Sequence, residues 1–464
     1  MNPDDNRAEG LTDKGMSSPV RRCPAEILSA IFVHALPAFP FTLSRNHAPL
    51  LLERVCRQWK DIARSTPALW SQIAVELIDG YQERELKIVA ICLARSGKHP
   101  LSIALGPEMY RIHGRVVSGN PALDLLATEC ERWHAVHLRL PSEILGDLSV
   151  VRGRLPLLHS LSISTDNAEE ENDTVAPLDI FVPAPGLRNF KTTSSYFTDV
   201  VTNGSLRLPW SGLTCLVIDE RKADDIWAIL KDCPNLVDLE AYITEEAWGH
   251  DDVPHVKLPS LRSLTLRLPQ TYTVLSALTL PVLKQASFII NASWGYDPSP
   301  DKWHIKSGLI MLLSQSKCTL SKLCIDIGLN TNRTSIGVQD FIGCIEALPS
   351  LTELHVPQNM SHIFLQAVTD QQDRANPPLL PKLEKIVLVA QVANFSWNLL
   401  AEFLKSRRAA GGQFELLRSL KLTANEFGYT SDPQYTHCLD ILRVFESEGM
   451  LVEVIKISND TRTL

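Results

Sequence analysis

One motif recurs through much of this 464-residue chain and limits its possible folds more than any other feature. It begins with a small or apolar residue and a proline, and continues with leucines or other apolar residues at the spacing L-x-x-L-x-L. Clear copies occupy residues 155–163, 233–241, 258–266, 280–288, 348–356 and 380–388, and weaker copies begin at residues 184, 208, 319 and 414. Their first core leucines, spaced 22 to 37 residues apart, are Leu158, Leu187, Leu213, Leu236, Leu261, Leu283, Leu320, Leu351, Leu383 and Leu417.

A repeat of this length is typical of a leucine-rich-repeat solenoid, in which each unit contributes one short strand and a returning helix or loop. One unit cannot bury its apolar face alone, so neighbouring units stack and share a core. Segments 224–233 and 336–348 have the periodicity of the returning helices. We therefore predict an α/β fold with an irregular solenoid of parallel strands. An ordinary α/β domain with a parallel sheet would show the same alternation and is the alternative.

Residues 24–73, which precede the repeats, carry apolar side chains at helical spacing. One stripe comprises Ile27, Leu28, Ile31, Phe32, Ala35 and Leu36, and a second, on a second predicted helix, comprises Leu51, Val55, Trp59 and Ile62. Pro24 suits the first turn of a helix, and Pro37 ends it. A segment of about fifty residues cannot bury this much apolar surface on itself. It therefore needs either the rest of the chain or a partner.

Several short motifs occur in order within this segment: Pro24, Glu26-Ile27-Leu28, Ile31-Phe32, Val55-Cys56-Arg57, Trp59, Ile62-Ala63, Thr66-Pro67 and Leu69-Trp70. Together they resemble an F-box of the type abundant in mushroom-forming fungi, and the resemblance continues to about residue 166. The family's usual Leu-Pro entry is Cys23-Pro24 here, so one apolar anchor is missing. The alternative is a three-helix cap that seals the end of a larger domain.

F-box modules dock on the Skp adaptor of cullin-RING ubiquitin ligases, and the domain that follows captures the protein to be ubiquitylated. The resemblance therefore implies a short three-helix F-box in a non-catalytic substrate-recognition subunit, whose partners are the Skp adaptor and the cullin complex. It implies that the adaptor-facing residues are Pro24, Ile27, Leu28, Ile31, Leu51, Val55, Trp59, Ile62 and Trp70. A non-ligase interaction scaffold, in which these helices cap the solenoid, is the second hypothesis.

Side chains between the repeat leucines should line the concave face of the strand sheet, and we expect this face to bind an unidentified protein substrate. The candidate residues are Ser263, Thr265, Arg267, Lys322, Asp326, Glu353, His355 and Lys421. Their charges are mixed in sign, which suits a protein surface better than nucleic acid or lipid.

The composition narrows the remaining classes of function. A net charge of −8 argues against a general nucleic-acid binder, whose phosphate contacts require a basic surface. The first residues of the sequence lack an apolar core of signal-peptide length, and no apolar run of membrane-spanning length occurs, so we expect a cytoplasmic or nuclear protein that does not bind membranes. Ten scattered cysteines indicate neither a zinc site nor a disulfide framework.

The chain lacks the common nucleophile, phosphate-binding and zinc-protease motifs. We therefore expect no catalytic residue, no metal and no cofactor, and a monomer outside the ligase complex. A hydrolase would require His250 and His255 to converge with carboxylates.

The predicted organisation has four parts. Residues 1–20 form a disordered tail, residues 21–75 the F-box, residues 76–150 linking helix and strand units, and residues 151–464 the leucine-rich-repeat-like substrate-binding domain. The tail is too poor in large apolar residues to offset the entropy of ordering. Within the linking units, the pattern predicts a helix over 82–96 that ends at Gly97 and a strand over 101–105.

Overall fold

The structure is a computed structural model, and its parts fall into two compact units, Met1–Leu140 and Pro141–Leu464. It describes residues 22–76, 82–106, 119–140, 145–164, 179–192, 206–245, 254–268, 272–290, 305–327, 338–357, 360–371, 379–390, 395–408, 416–425 and 433–457. The tail predicted at residues 1–20 lies outside these ranges. Most of the predicted linking region, up to Leu140, belongs to the first unit.

The first unit combines helices with three parallel strands paired in the order β1-β2-β3. Its helices are α1 (Ala25–His34), α2 (Arg57–Ser65), α3 (Gln82–Ser96) and α4 (Pro121–Thr128), its 3₁₀ turns are Leu52–Arg54, Pro67–Trp70 and Cys130–Arg132, and its strands are β1 (Gln72–Val75), β2 (Leu101–Leu105) and β3 (Trp133–Arg139). The helix and strand predicted over 82–96 and 101–105 are confirmed. Gly97 follows α3 with φ +54°, a left-handed conformation that glycine adopts at little cost.

The second unit alternates strands with helices or turns. Its strands are β4 (Ser160–Ser164), β5 (Asn189–Thr192), β6 (Cys215–Lys222), β7 (Asp238–Glu245), β8 (Val256–Lys257), β9 (Ser263–Leu268), β10 (Leu278–Thr279), β11 (Gln285–Ile290), β12 (Lys322–Ile327), β13 (Glu353–His355), β14 (Lys385–Ala390), β15 (Ser419–Asn425) and β16 (Leu451–Ile457). Its helices are α5 (Ala223–Leu230), α6 (Tyr272–Ser276), α7 (Ile305–Ser316), α8 (Val338–Glu346), α9 (Ser361–Gln371), α10 (Trp397–Arg408) and α11 (Pro433–Ser447). Two 3₁₀ turns span Gly146–Val151 and Trp210–Gly212.

The order of the strands defines the architecture of this unit. The main sheet runs β4-β5-β6-β7-β9-β11-β12-β13-β14-β15-β16, and β8 pairs with β10 in a small separate sheet. Each main strand therefore lies beside the next main strand in the chain, whereas a doubly wound sheet reverses its order at a switch point. The predicted α/β fold with parallel strands is confirmed, and its consecutive order is solenoid-like.

The repeat leucines explain why the units stack. All ten leucines predicted to begin the repeat cores are buried. Just before the strands, backbone hydrogen bonds link neighbouring repeats. The N–H of Thr214 donates to the carbonyl of Arg188, the N–H of Val237 donates to the carbonyl of Thr214, and the N–H of Arg262 donates to the carbonyl of Val237, each at 2.8 Å. The leucines thus fill the core, while this ladder fixes the register between repeats.

Candidate functional site

Helix α1 has one buried and one exposed apolar side. Leu28 and Phe32 are 2% and 1% exposed, whereas Ile27 and Ile31 are both 52% exposed. Residues four apart lie on the same side of a helix, so each pair forms one face. Pro24 is exposed and precedes the first turn, as the sequence predicts.

A second pair of exposed apolar side chains lies between α1 and α2. Leu51 is 43% exposed and Val55 is 54% exposed, and they flank a 3₁₀ turn whose Leu52 is buried. The prediction that Leu51 to Ile62 share one continuous helix was wrong. Cys56 is extended at φ −160° and ψ 171°, and its thiol accepts the backbone N–H of Trp59 as an N-terminal cap of α2.

The other predicted adaptor residues pack inside the unit. Leu28, Ile62 and Trp70 are buried. Trp59 is half-buried, with its ring centroid 4.8 Å from that of Phe32. These side chains therefore stabilise the segment that carries Ile27, Ile31, Leu51 and Val55. We call these four exposed residues the apolar patch.

An ion-pair cluster ties this segment to α3. The carboxylate of Glu53 pairs with Arg64 at 3.0 Å and also with Arg95 of α3. The Arg95 guanidinium lies 4.2 Å from the ring centroid of Trp70, whose indole N–H donates to the carbonyl of Ala63 at 2.8 Å. This ion-pair cluster and the buried Trp70 hold the segment that contains α1 and α2 in a fixed arrangement with α3.

The predicted substrate-binding residues lie on four strands of the second unit, at positions that alternate with buried ones. Ser263, Thr265 and Arg267 belong to β9, Lys322 and Asp326 to β12, Glu353 and His355 to β13, and Lys421 to β15. Asp326 is exposed and the other seven are half-buried. All eight therefore lie at the less buried of the alternating strand positions, as strand alternation predicts.

Most charged side chains on this face already form an ion pair with a side chain of a neighbouring strand. Arg267 pairs with Glu240 at 3.1 Å, and Lys322 with Glu353 at 2.7 Å. Lys421 pairs with Glu453 at 3.1 Å. A partner that recognised these groups would have to share or replace their ion pairs.

Sequence reasoning missed the contact between Cys324 and His355, which are partners in the register of β12 and β13. The Cys324 thiol lies 3.0 Å from Nδ1 of His355. Burial is the main cause that raises the pKa of Cys324 and lowers the pKa of His355. Both shifts favour the neutral thiol and imidazole, the opposite of the charged pair that activates a cysteine nucleophile.

A metal centre has no support among the described residues, where no group of three or more His, Cys, Asp or Glu side chains could hold an ion. His250 lies outside the described ranges. His255 is engaged with the β10 segment: its Nδ1 lies 2.8 Å from the carbonyl of Ala277, and its Nε2 lies 3.1 Å from the hydroxyl of Thr279. Over the part of the chain that the structure describes, every helix is too short or too polar to cross a bilayer.

The fold and these surfaces define an α/β repeat protein with an apolar patch on its first unit and a mixed polar face on its second. No family model matches the chain, and a search of curated proteins also finds no match.

Proposed function

We propose that this chain is the substrate-recognition subunit of a Skp-cullin-F-box ubiquitin ligase. In this proposal, residues 21–75 are an F-box that docks the Skp adaptor, and the leucine-rich-repeat-like region binds a protein substrate. The chain performs no chemistry. It holds the substrate near the ubiquitin-loaded enzyme, so its contribution is proximity.

The observation that carries the proposal is the apolar patch. Ile27, Ile31, Leu51 and Val55 are four of the nine residues that the F-box resemblance assigns to the adaptor, and each exposes 43–54% of its surface. Large apolar side chains that a soluble protein leaves exposed on neighbouring elements commonly mark an interaction site. Leu28 and Phe32, which are buried, position helix α1, which carries Ile27 and Ile31.

Co-purification with the Skp adaptor tests this proposal. Ile31→Glu combined with Val55→Glu should abolish recovery of the adaptor, because two carboxylates would be buried without partners in an apolar interface. These exposed positions are better suited to the test than Leu28 and Trp59, whose loss would also damage the fold.

Ile91→Glu is the matched control, since Ile91 lies on α3, outside the patch, and is 46% exposed. Full recovery of the adaptor by the folded double variant would reject the F-box function.

The second candidate is a non-ligase scaffold in which the N-terminal helices serve a structural role. The burial of Leu28, Ile62 and Trp70 favours this candidate, because much of the apolar surface of the segment is already used within the chain. A folded wild-type chain that fails to bind the adaptor but retains a protein partner on the repeats would favour the scaffold.

A further inference from the structure

A groove of about 590 Å³ crosses the turns that precede strands β5 to β11 in the second unit. Its lining residues are Arg188, Gly212, Thr214, Asn235, Val237, Pro259, Ser260, Arg262 and Val282. Two of these residues are cationic, and none of the described residues that line the groove is acidic. In a chain with a net charge of −8, this local excess of positive charge is a distinct feature.

The two arginines are held in different ways. Nη1 of Arg188 donates to the carbonyls of Pro185 and Leu187, each at 2.9 Å, which orients its guanidinium beside Gly212. Arg262 is exposed, and its side chain has no hydrogen bond or ion pair with another described residue. A guanidinium has five N–H donors, so both arginines keep donors for a ligand.

The strand order sets the approximate spacing of the backbone positions that carry these two cations. Arg188 precedes β5 and Arg262 precedes β9, and the sheet places β6 and β7 between these strands. Three strand steps correspond to about 14 Å, and an extended peptide that crosses the strands covers this distance in about four residues. Side chains four positions apart in an extended peptide point to the same side.

We propose that this groove binds an extended acidic segment of a partner protein, with two carboxylates four residues apart on Arg188 and Arg262. Thr214 and Val237, which precede β6 and β7, form the uncharged floor between the two anchors. Lys284 is exposed and precedes β11, where it adds a third cation one strand further along.

A peptide fits this groove better than a nucleic acid does. Among the described residues, two cations line it and Lys284 lies one strand further along, whereas the affinity of nucleic-acid binding depends on many phosphate contacts. The residues that line the groove are different from those of the apolar patch and from the paired charges on the strand face. It requires no adaptor, so its failure would leave the proposed ligase function standing.

Fluorescence anisotropy with the full chain tests the proposal. The probe is a labelled peptide of about ten residues that contains only serine and threonine apart from two glutamates four positions apart. We expect saturable binding that weakens with added salt. Arg262→Glu should weaken it at least about tenfold, because a charge-assisted bond is lost and a repulsive charge is introduced.

Lys405→Glu is the matched control, because Lys405 is exposed on α10 and its reversal changes the net charge equally. This variant should bind like the wild type, and a peptide with lysines in place of both glutamates should not bind. Circular dichroism verifies that both variants are folded.

Absence of binding to the wild type would overturn the proposal, as would equal affinity of the wild type and Arg262→Glu, or equal weakening by Lys405→Glu. The last measurement in this experiment uses a labelled single-stranded DNA of about ten nucleotides as the probe. Tighter binding of this DNA than of the peptide, lost in Arg262→Glu, would assign the groove to nucleic acid and also overturn the proposal.

Discussion

Alanine substitutions in the apolar patch should separate adaptor binding from folding. Complete burial of a leucine, isoleucine or valine side chain contributes about 1.5–3 kcal/mol. Ile27, Ile31, Leu51 and Val55 are roughly half exposed, so a partner that covers them gains about half of that value, about 0.8–1.5 kcal/mol at each position. Each single alanine variant should therefore raise the Kd for the Skp adaptor about 4- to 12-fold.

The same substitutions should change the free energy of unfolding by less than about 1 kcal/mol, because the removed atoms are largely outside the core. Leu28→Ala should instead cost about 2–5 kcal/mol in folding stability, since this side chain is buried. Isothermal titration calorimetry measures the Kd, and thermal denaturation measures stability, with Ile91→Ala as the exposed control. Wild-type affinity in all four folded patch variants would refute the reasoning.

Three further predictions concern the folded chain. Glu53→Gln should lower the free energy of unfolding by about 1–2 kcal/mol in thermal denaturation, because its carboxylate serves two arginines and is only 13% exposed; an unchanged Tm would contradict this role. Burial raises the pKa of Glu85 above 4.5, so the stability that this group contributes is complete below that pH and is lost as pH rises through its folded-state pKa. Glu85→Gln should thus raise Tm at pH 7.5 and give no gain at pH 4, and a gain that is equal at both pH values would contradict the assignment. Arg407→Met should cost about 2–4 kcal/mol, since the buried guanidinium donates to the carbonyls of Leu379 and Leu380 at 2.8 and 2.6 Å; scanning calorimetry would refute this with a loss below about 1 kcal/mol.

The sequence predicted much of the fold, but the helical period alone misplaced one element. Leu51, Val55, Trp59 and Ile62 have helical spacing, yet the chain forms a 3₁₀ turn and restarts as a helix after Cys56. A thiol that caps the backbone N–H of Trp59 stabilises this restart, and cysteine is not among the usual capping residues. The apolar pattern therefore located the stripe but did not predict the break within it.

For the candidate site, too, the sequence predicted the segment but not which of its side chains are exposed. The nine residues assigned by resemblance fall within one segment, but the pattern did not distinguish Ile27, which is half exposed, from Leu28, which is buried. Both side chains belong to the same apolar stripe in sequence. Their environments differ because the side of α1 that carries Leu28 and Phe32 is buried, with Phe32 packed against Trp59 of α2, whereas the side that carries Ile27 stays exposed.

The repeat follows from the amino-acid pattern alone, because leucines at the L-x-x-L-x-L spacing must be buried wherever strands stack, and Leu158 and Leu417 are both buried at distant positions in the array. Which side chains meet across neighbouring strands depends instead on how the repeats pack in three dimensions. The contact between Cys324 and His355 and the groove between Arg188 and Arg262 depend on register between segments that loops of different lengths separate. Local periodicity specifies the face on which a side chain lies, whereas its neighbour is set by the packing of the whole repeat array.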